Sequence, residues 1–297
     1  MEDFMFMNAH TISEALFFLN EDAVKTKVIA GGTDSVMHLH RGTIKPERIL
    51  AISGIDELKR IYIKEDGLHI GACATLNQIA NNQKVSIYAR ALQQAAASVG
   101  SQQIRNLGTL GGNIVNGAAA ADTMAPLLCL QAIIRLESFD RRRELCLEDV
   151  LCEKGCADKK PNELLTEIII PPLWINNEIH VSSYQKLGTR KALAIVVIGA
   201  GIYMHIGADN LCKGCRIYGG ALARFPLRFQ QVEKFFVGKP FKEDVYMQAI
   251  PLLSAIVEEN LIHRPWEQEY KKESIKGIYM EAFLDIERQL EKLGETT

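Results

Sequence analysis

The chain has 297 residues, 47% of them apolar and 24% charged, with a formal net charge of −2. That balance describes a globular chain long enough to bury a full core without disulfides or metals, and the lack of a basic run excludes a nucleic-acid footprint. The start, MEDFMFMNAH, is acidic where an export signal would be basic. The longest apolar stretch, residues 192–204, falls short of the roughly 18–20 residues that span a bilayer. With seven cysteines, an odd number, these features point to reduced thiols, a cytoplasmic location and no membrane partner.

Thr11 and Glu14 have the spacing of a capping box and open a helix over residues 15–19. Residues 27–30 form a short apolar run that stops at Gly31 and Gly32, as a strand entering a turn does. A second helix starts at Asp34 and a strand covers 48–52, which makes a small βαβ unit. Residues 61–63 and 68–70 flank Glu65-Asp66-Gly67 as a hairpin. The Ala- and Leu-rich stretch 87–98 reads as one helix, 133–136 and 145–147 as paired strands, and 152–163 as a loop. After Pro171 and Pro172 the pattern changes to three strands (181–187, 194–205, 212–222) followed by helices (229–236, 243–258, 270–291). Strands followed by helices predict a separate α+β domain, with the boundary near residue 176 and a division of the first domain near residue 57.

Two segments carry the candidate chemistry. In the first, VIAGGTDS, a strand ending in two glycines lets successive backbone N–H groups turn inward as an anion cradle, to which Thr33 and Ser35 add hydroxyls. The same letters also suit an ordinary strand–turn–helix junction. The second runs from Gly100 through QIRNLGTLGGNI to Asn116, Gly117, four alanines and Asp122. Almost every side chain from Gly108 to Ala121 is small or a neutral hydrogen-bonder, where a core segment would use volume-filling residues. Such a stretch admits a large ligand close to the backbone, with Thr109, Asn113, Asn116 and Asp122 available to its polar groups. A tight alanine-lined packing contact with Asp122 as a helix cap is the competing reading.

Neither segment is the Rossmann G-x-G-x-x-G, and there is no Walker A or H-E-x-x-H sequence. Cys212-x-x-Cys215 lacks a second pair or a matched histidine and reads as an incidental thiol pair; His38 and His40 read as surface residues.

Together, AGGTD at 30–34, QIRNLGTLGGNI at 103–114, Asp122, ELLTEI at 163–168, YQKL at 184–187, and Gly219-Gly220-Ala221 with Pro226 resemble the FAD-binding medium subunit of the xanthine dehydrogenase and carbon monoxide dehydrogenase family. The resemblance covers essentially the whole chain. It implies an α+β protein: a two-subdomain FAD-binding domain of the vanillyl-alcohol-oxidase type followed by a smaller domain of three antiparallel strands and helices. By matched position, Ile29, Ala30, Gly31, Gly32, Thr33, Asp34, Ser35 and Val36 form the wall for the FAD pyrophosphate. Thr109, Gly112, Asn113, Asn116 and Asp122 face the cofactor from the second segment, Leu165 and Lys186 add flavin contacts, and Ile195 covers the isoalloxazine ring.

One branch of that family carries an extra iron–sulfur cluster on this subunit, within a cysteine-rich insertion. Cys129, Cys146, Cys152 and Cys156 lie in no such insertion. The resemblance further implies a heteromer: a large partner with the molybdenum cofactor, a small partner with two [2Fe-2S] clusters, and electrons passing through FAD to NAD+. The hydroxylated substrate it suggests is a purine or another N-heterocycle such as nicotinate. A free-standing flavin oxidoreductase of the same fold and a non-enzymatic flavin-binding or assembly module are the alternatives.

Overall fold

The first helix is set by its cap. Thr11 Oγ1 accepts the Glu14 N–H at 3.1 Å, while Glu14 Oε2 reaches back to the His10 N–H at 2.7 Å. Two orphan donors are thereby satisfied, one of them a residue earlier than in the standard box. The structure, a computed structural model, describes residues 4–152, 155–156, 159–172, 178–190, 193–261 and 265–294.

The amino-terminal layer contains β1 (Met5–Asn8), α1 (Ile12–Asp22), β2 (Thr26–Ile29), α2 (Ser35–His40) and β3 (Arg48–Ala51). Its sheet is parallel in the order β1-β3-β2. The expected β2–α2–β3 crossover therefore exists, and it leaves β2 on the sheet edge. Leu19, Leu50, Ile55 and Leu58 fill the core beneath.

The second layer begins with the predicted hairpin, β4 (Ile61–Lys64) and β5 (Gly67–Gly71). The helices α3 (Leu76–Ala80), α4 (Gln83–Tyr88), α5 (Arg90–Ser98), α6 (Gln102–Leu107), α7 (Leu110–Asn116) and α8 (Met124–Cys129) come next. Then follow β6 (Ile133–Glu137), β7 (Arg142–Cys146), α9 (Leu147–Val150), β8 (Leu151–Cys152), β9 (Gly155–Cys156) and β10 (Leu164–Ile170). The main sheet is antiparallel, ordered β4-β5-β10-β6-β7.

Two expectations need correction here. The helix expected over 87–98 is broken at Ala89 (φ −148°, ψ 50°), whose N–H closes α4 on Val85 and whose carbonyl opens α5. The break turns Arg90 toward a carboxylate of the last helix. The segment expected to be a loop over 152–163 includes a two-residue strand pair, Leu151–Cys152 with Gly155–Cys156; residues 153–154 and 157–158 lie outside the described residues.

The third layer is β11 (Ile179–Gly188), β12 (Val196–Ile206), β13 (Cys212–Gly220) and β14 (Leu227–Arg228), antiparallel in that order. The three long strands match the reading of the sequence; β14 adds a two-residue fourth. Helices α10 (Gln230–Phe236), α11 (Glu243–Asn260) and α12 (Pro265–Gly294) cover one face around Phe229, Phe236, Tyr279 and Phe283. The other face meets the second layer. Ser182 Oγ accepts the Ala91 N–H at 3.1 Å, Gln94 Oε1 accepts the Tyr184 N–H at 2.8 Å, and Arg90 pairs with Asp285 at 2.9 Å. The boundary expected near 176 falls outside the described residues; the second-layer sheet ends at Ile170 and the third begins at Ile179. Among the described residues no helix is long and apolar enough to cross a membrane.

Candidate functional site

The two glycine segments meet. A Cβ on Gly31 would stand 1.8 Å from the Leu107 carbonyl oxygen, so only glycine lets the β2–α2 turn touch the α6–α7 junction. Gly32 takes φ +70°, the left-handed region that glycine enters without steric cost. Asn116 Nδ2 donates to Asp34 Oδ2 at 2.9 Å and ties the far end of α7 to the same turn.

Between the segments lies a cleft of about 720 Å³, lined from one side by 30–35 and from the other by Gly108, Thr109, Gly111, Gly112, Asn113 and Asn116. Val28, Ile52, Val99, Ile104, Leu164 and Leu165 add apolar lining. Cofactor pockets run from roughly 300 to 1,000 Å³ and combine apolar lining with a few convergent polar groups.

The polar groups on the two sides differ. The first turn of α7 is already occupied: Leu110 and Gly111 donate to Ala74 and Ala72, and Thr109 Oγ1 caps Gly112 N at 3.1 Å. By contrast, the N–H groups of Gly31, Gly32, Thr33, Asp34 and Ser35 have no acceptor among the described residues, nor do the Thr33 and Ser35 hydroxyls. Exposed to the cleft, they suit an anion. Lys27 and Lys159 bring two positive charges to the same lining. Asn113 Oδ1 accepts from Thr123 Oγ1 at 2.5 Å, while its amide N–H groups have no acceptor among the described residues. Donors along one edge, a glycine-bearing helix and an apolar lining fit a ligand with a phosphate bridge and flat rings, as FAD has.

Of the residues singled out from sequence, Ala30, Gly31, Gly32, Thr33, Asp34, Ser35, Thr109, Gly112, Asn113, Asn116 and Leu165 line this cleft. Ile29 is the last residue of β2, and Val36 sits on α2 with 42% of its surface exposed. Ile195, just before β12, is 75% exposed and stands apart from the cleft lining.

Asp122 and Lys186 also stand apart from the lining but find each other. Lys186 Nζ donates to Asp122 Oδ2 at 2.8 Å and to the Ser98 carbonyl at 3.2 Å, and the Tyr184 hydroxyl donates to Asp122 Oδ1 at 2.9 Å. Burial pushes the Asp122 carboxyl above its ordinary range against the lowering pull of Lys186 and Tyr184. Burial and the Asp122 charge together hold the Tyr184 phenol well above its usual value. Asp122 therefore does not cap α8. Tyr184 was not singled out as a site residue, although the two-residue period of β11 puts it on the face of Lys186.

The remaining candidates separate plainly. His38 and His40 are exposed, as expected. Cys129 is buried, Cys146 exposed, and Cys212 and Cys215 are free thiols. The side chains of Cys152 and Cys156 lie outside the described residues.

Residues 2–173 match the family described as the FAD binding domain in molybdopterin dehydrogenase, and residues 182–286 match the CO dehydrogenase flavoprotein C-terminal domain. The chain belongs to this flavoprotein family. It is similar to the nicotinate dehydrogenase FAD-subunit of Eubacterium barkeri, at 36% identity over 98% of both chains. It is also similar to the xanthine dehydrogenase FAD-binding subunit of Escherichia coli O157:H7, at 32% identity over 76% of both. The carbon monoxide dehydrogenase of Hydrogenophaga pseudoflava contains a chain of the same fold: TM-score 0.81 at 22% identity, over 95% of this chain and 98% of that one. As a member of the family, the chain is an oxidoreductase subunit, and the cleft between its glycine segments is placed where its FAD-binding domain brings two layers together.

Proposed function

We propose that this flavin subunit receives electrons from [2Fe-2S] clusters of a small partner and delivers them to NAD+, within a molybdenum hydroxylase whose large partner oxidises an N-heterocycle. The observation that carries the reading is the cleft itself, with five successive backbone N–H groups and two hydroxyls that have no acceptor among the described residues, opposite a glycine-bearing helix. FAD, when bound, supplies the chemistry that links one-electron donors to a two-electron acceptor. The chain's own residues bind and orient. Gly31, Gly32, Thr33 and Ser35 would hold the pyrophosphate, Asp34 and Asn116 lock the two walls together, and Leu165 would pack against the rings. Asp122 and Lys186 hold β11 to the second layer, and Ile195, outside the cleft lining, would cover the flavin from its exposed side. The domains divide near residue 176.

Nicotinate or a purine as substrate is supported by the two relatives above, with the nicotinate subunit alignable over almost the full length of both chains. The test is the visible spectrum of the purified chain and chromatography of the released chromophore, followed by NAD+ reduction by the copurified complex with nicotinate and with xanthine. FAD near one per chain and substrate-dependent NADH formation are expected. A folded chain that takes up no FAD would overturn the cofactor site; a flavin-loaded complex that reduces oxygen but not NAD+ would overturn the acceptor.

A further inference from the structure

At the opposite end of the β11–β12 pair from Lys186, His180 and His205 face each other across the ladder, paired residue to residue. Their rings stack with centroids 4.4 Å apart. Glu178 lies two residues before His180, and its carboxylate bonds His205 Nε2. Among the described residues, Glu178, His180 and His205 are the group whose metal-ligating atoms converge, one from each residue and all within 4.8 Å of one another. Strand register explains the placement: Glu178 stands just before β11, two residues from His180, and His205 is the cross-strand partner of His180. The glycine segments and the Asp122 pair have no part in this cluster.

We infer that Glu178, His180 and His205 form a binding site for a divalent transition metal of the zinc class, with water completing the coordination. Two imidazoles and a carboxylate are a donor set that zinc takes up in open, three-ligand sites. All-oxygen sites favour magnesium, calcium or manganese instead.

Two observations support the set. The Tyr203 hydroxyl lies 2.7 Å from His180 Nδ1, so a Nδ1–H donated to it presents Nε2 as the ligand. Such outer partners fix the ring and tautomer of metal-bound histidines. Beside the cluster, a small cavity of about 70 Å³ lined by His180, Tyr203 and Ser182 has room for water. The donor atoms lie within 4.8 Å of one another, whereas a zinc held at about 2.1 Å from each donor asks for a separation of roughly 4.2 Å or less, so binding requires the stacked rings and the Glu178 carboxylate to shift. Metal here would fasten the start of β11 to the end of β12, where the chain enters the third layer.

The test uses the full-length chain, stripped with a chelator, dialysed and titrated with zinc against a chromogenic competitor, with cobalt(II) as a spectroscopic probe. We expect about one zinc per chain, visible cobalt bands of a four-coordinate N/O site, and a rise in melting temperature with zinc. His205→Ala and Glu178→Gln should each weaken binding by more than tenfold. Tyr203→Phe should weaken it by about tenfold, the scale of outer-partner losses. Circular dichroism checks folding; if His205→Ala does not fold, Glu178→Gln at the rim decides. Zinc uptake that is absent, or unchanged in Glu178→Gln and in His180→Ala/His205→Ala, would overturn the site and leave Glu178–His205 as a plain ion pair. Cobalt bands of thiolate character would place the metal on cysteines and overturn it equally.

Discussion

Lys186 Nζ stands 2.8 Å from Asp122 Oδ2, joining a strand of the third layer to a residue two positions before α8, with only 11% and 7% of the two side chains exposed. Removing one partner of a buried pair strands the other charge, at a cost of about 3–5 kcal/mol. Lys186→Met and Asp122→Asn are each expected to lose stability on that scale in urea unfolding. The double variant should lose clearly less than the sum, because residues in contact are coupled. Additive losses would show that the contact carries no energy. Flavin content separates the second role: if Asp122 serves the cofactor site, Asp122→Ala lowers FAD occupancy in chain that remains folded, and unchanged occupancy removes it from the site.

Gly31→Ala places a methyl group 1.8 Å from the Leu107 carbonyl oxygen, against backbone that cannot rotate away. The two walls of the cleft must separate, with a stability cost of about 1–3 kcal/mol and loss of most bound FAD. Gly277→Ala, on α12 with no atom within 4 Å of the added carbon, serves as the control. It should stabilise by up to about 1 kcal/mol through helix propensity. Calorimetry and flavin content of the two variants, measured together, check the pair; equal FAD retention would sink the proposed glycine contact.

Thr33→Val and Ser35→Ala remove hydroxyls that have no acceptor among the described residues. The apo fold should therefore be nearly indifferent to them. A hydrogen bond to a charged group contributes about 1.5–3 kcal/mol, so each variant should weaken FAD binding by roughly tenfold or more, read by flavin fluorescence on reconstitution. Variants that unfold the apo chain while binding FAD normally would reverse the assignment.

Acid should loosen the second layer from the third. For Asp285, burial pulls the carboxyl up but is outweighed by the hydrogen bonds from Arg90 and Gln94, which hold it below the ordinary range. For Glu163, burial is likewise outweighed by Arg143 and the Lys160 N–H. A depressed carboxyl contributes stability that is present above its unfolded pKa, near 4, and lost as pH falls through the lower folded value. Asp122, raised by burial, runs the other way and offsets part of the loss. Melting temperature is expected to hold between about pH 7 and 5 and to drop below about 4. Asp285→Asn should flatten that drop while lowering the plateau, and an unchanged acid limb would exclude Arg90–Asp285 from it.

Much of this protein is legible in its letters because periodicity and turn chemistry act locally. The Thr11 cap, the Asp66-Gly67 hairpin and the alternation of β11 to β13 each follow from a few neighbouring residues, and their elements formed within one to three residues of expectation at most ends. The two glycine segments stood out for the same reason, since small residues where a core would want volume are visible without a fold. What lay beyond local reading was distance. That Gly31 touches Leu107, that Asp122 meets Lys186 across 64 positions rather than capping α8, and that Glu178, His180 and His205 converge all depend on strand register and layer packing. The break at Ala89 is of the same kind: its Ala-rich surroundings favour one continuous helix, and contact with Asp285 far along the chain accompanies the turn. Sequence by itself determined the elements and the ligand-friendly segments, because those are governed by backbone geometry over a few residues. Only the tertiary structure decided which side chains share a site, because burial and pairing are properties of residues brought together from distant parts of the chain.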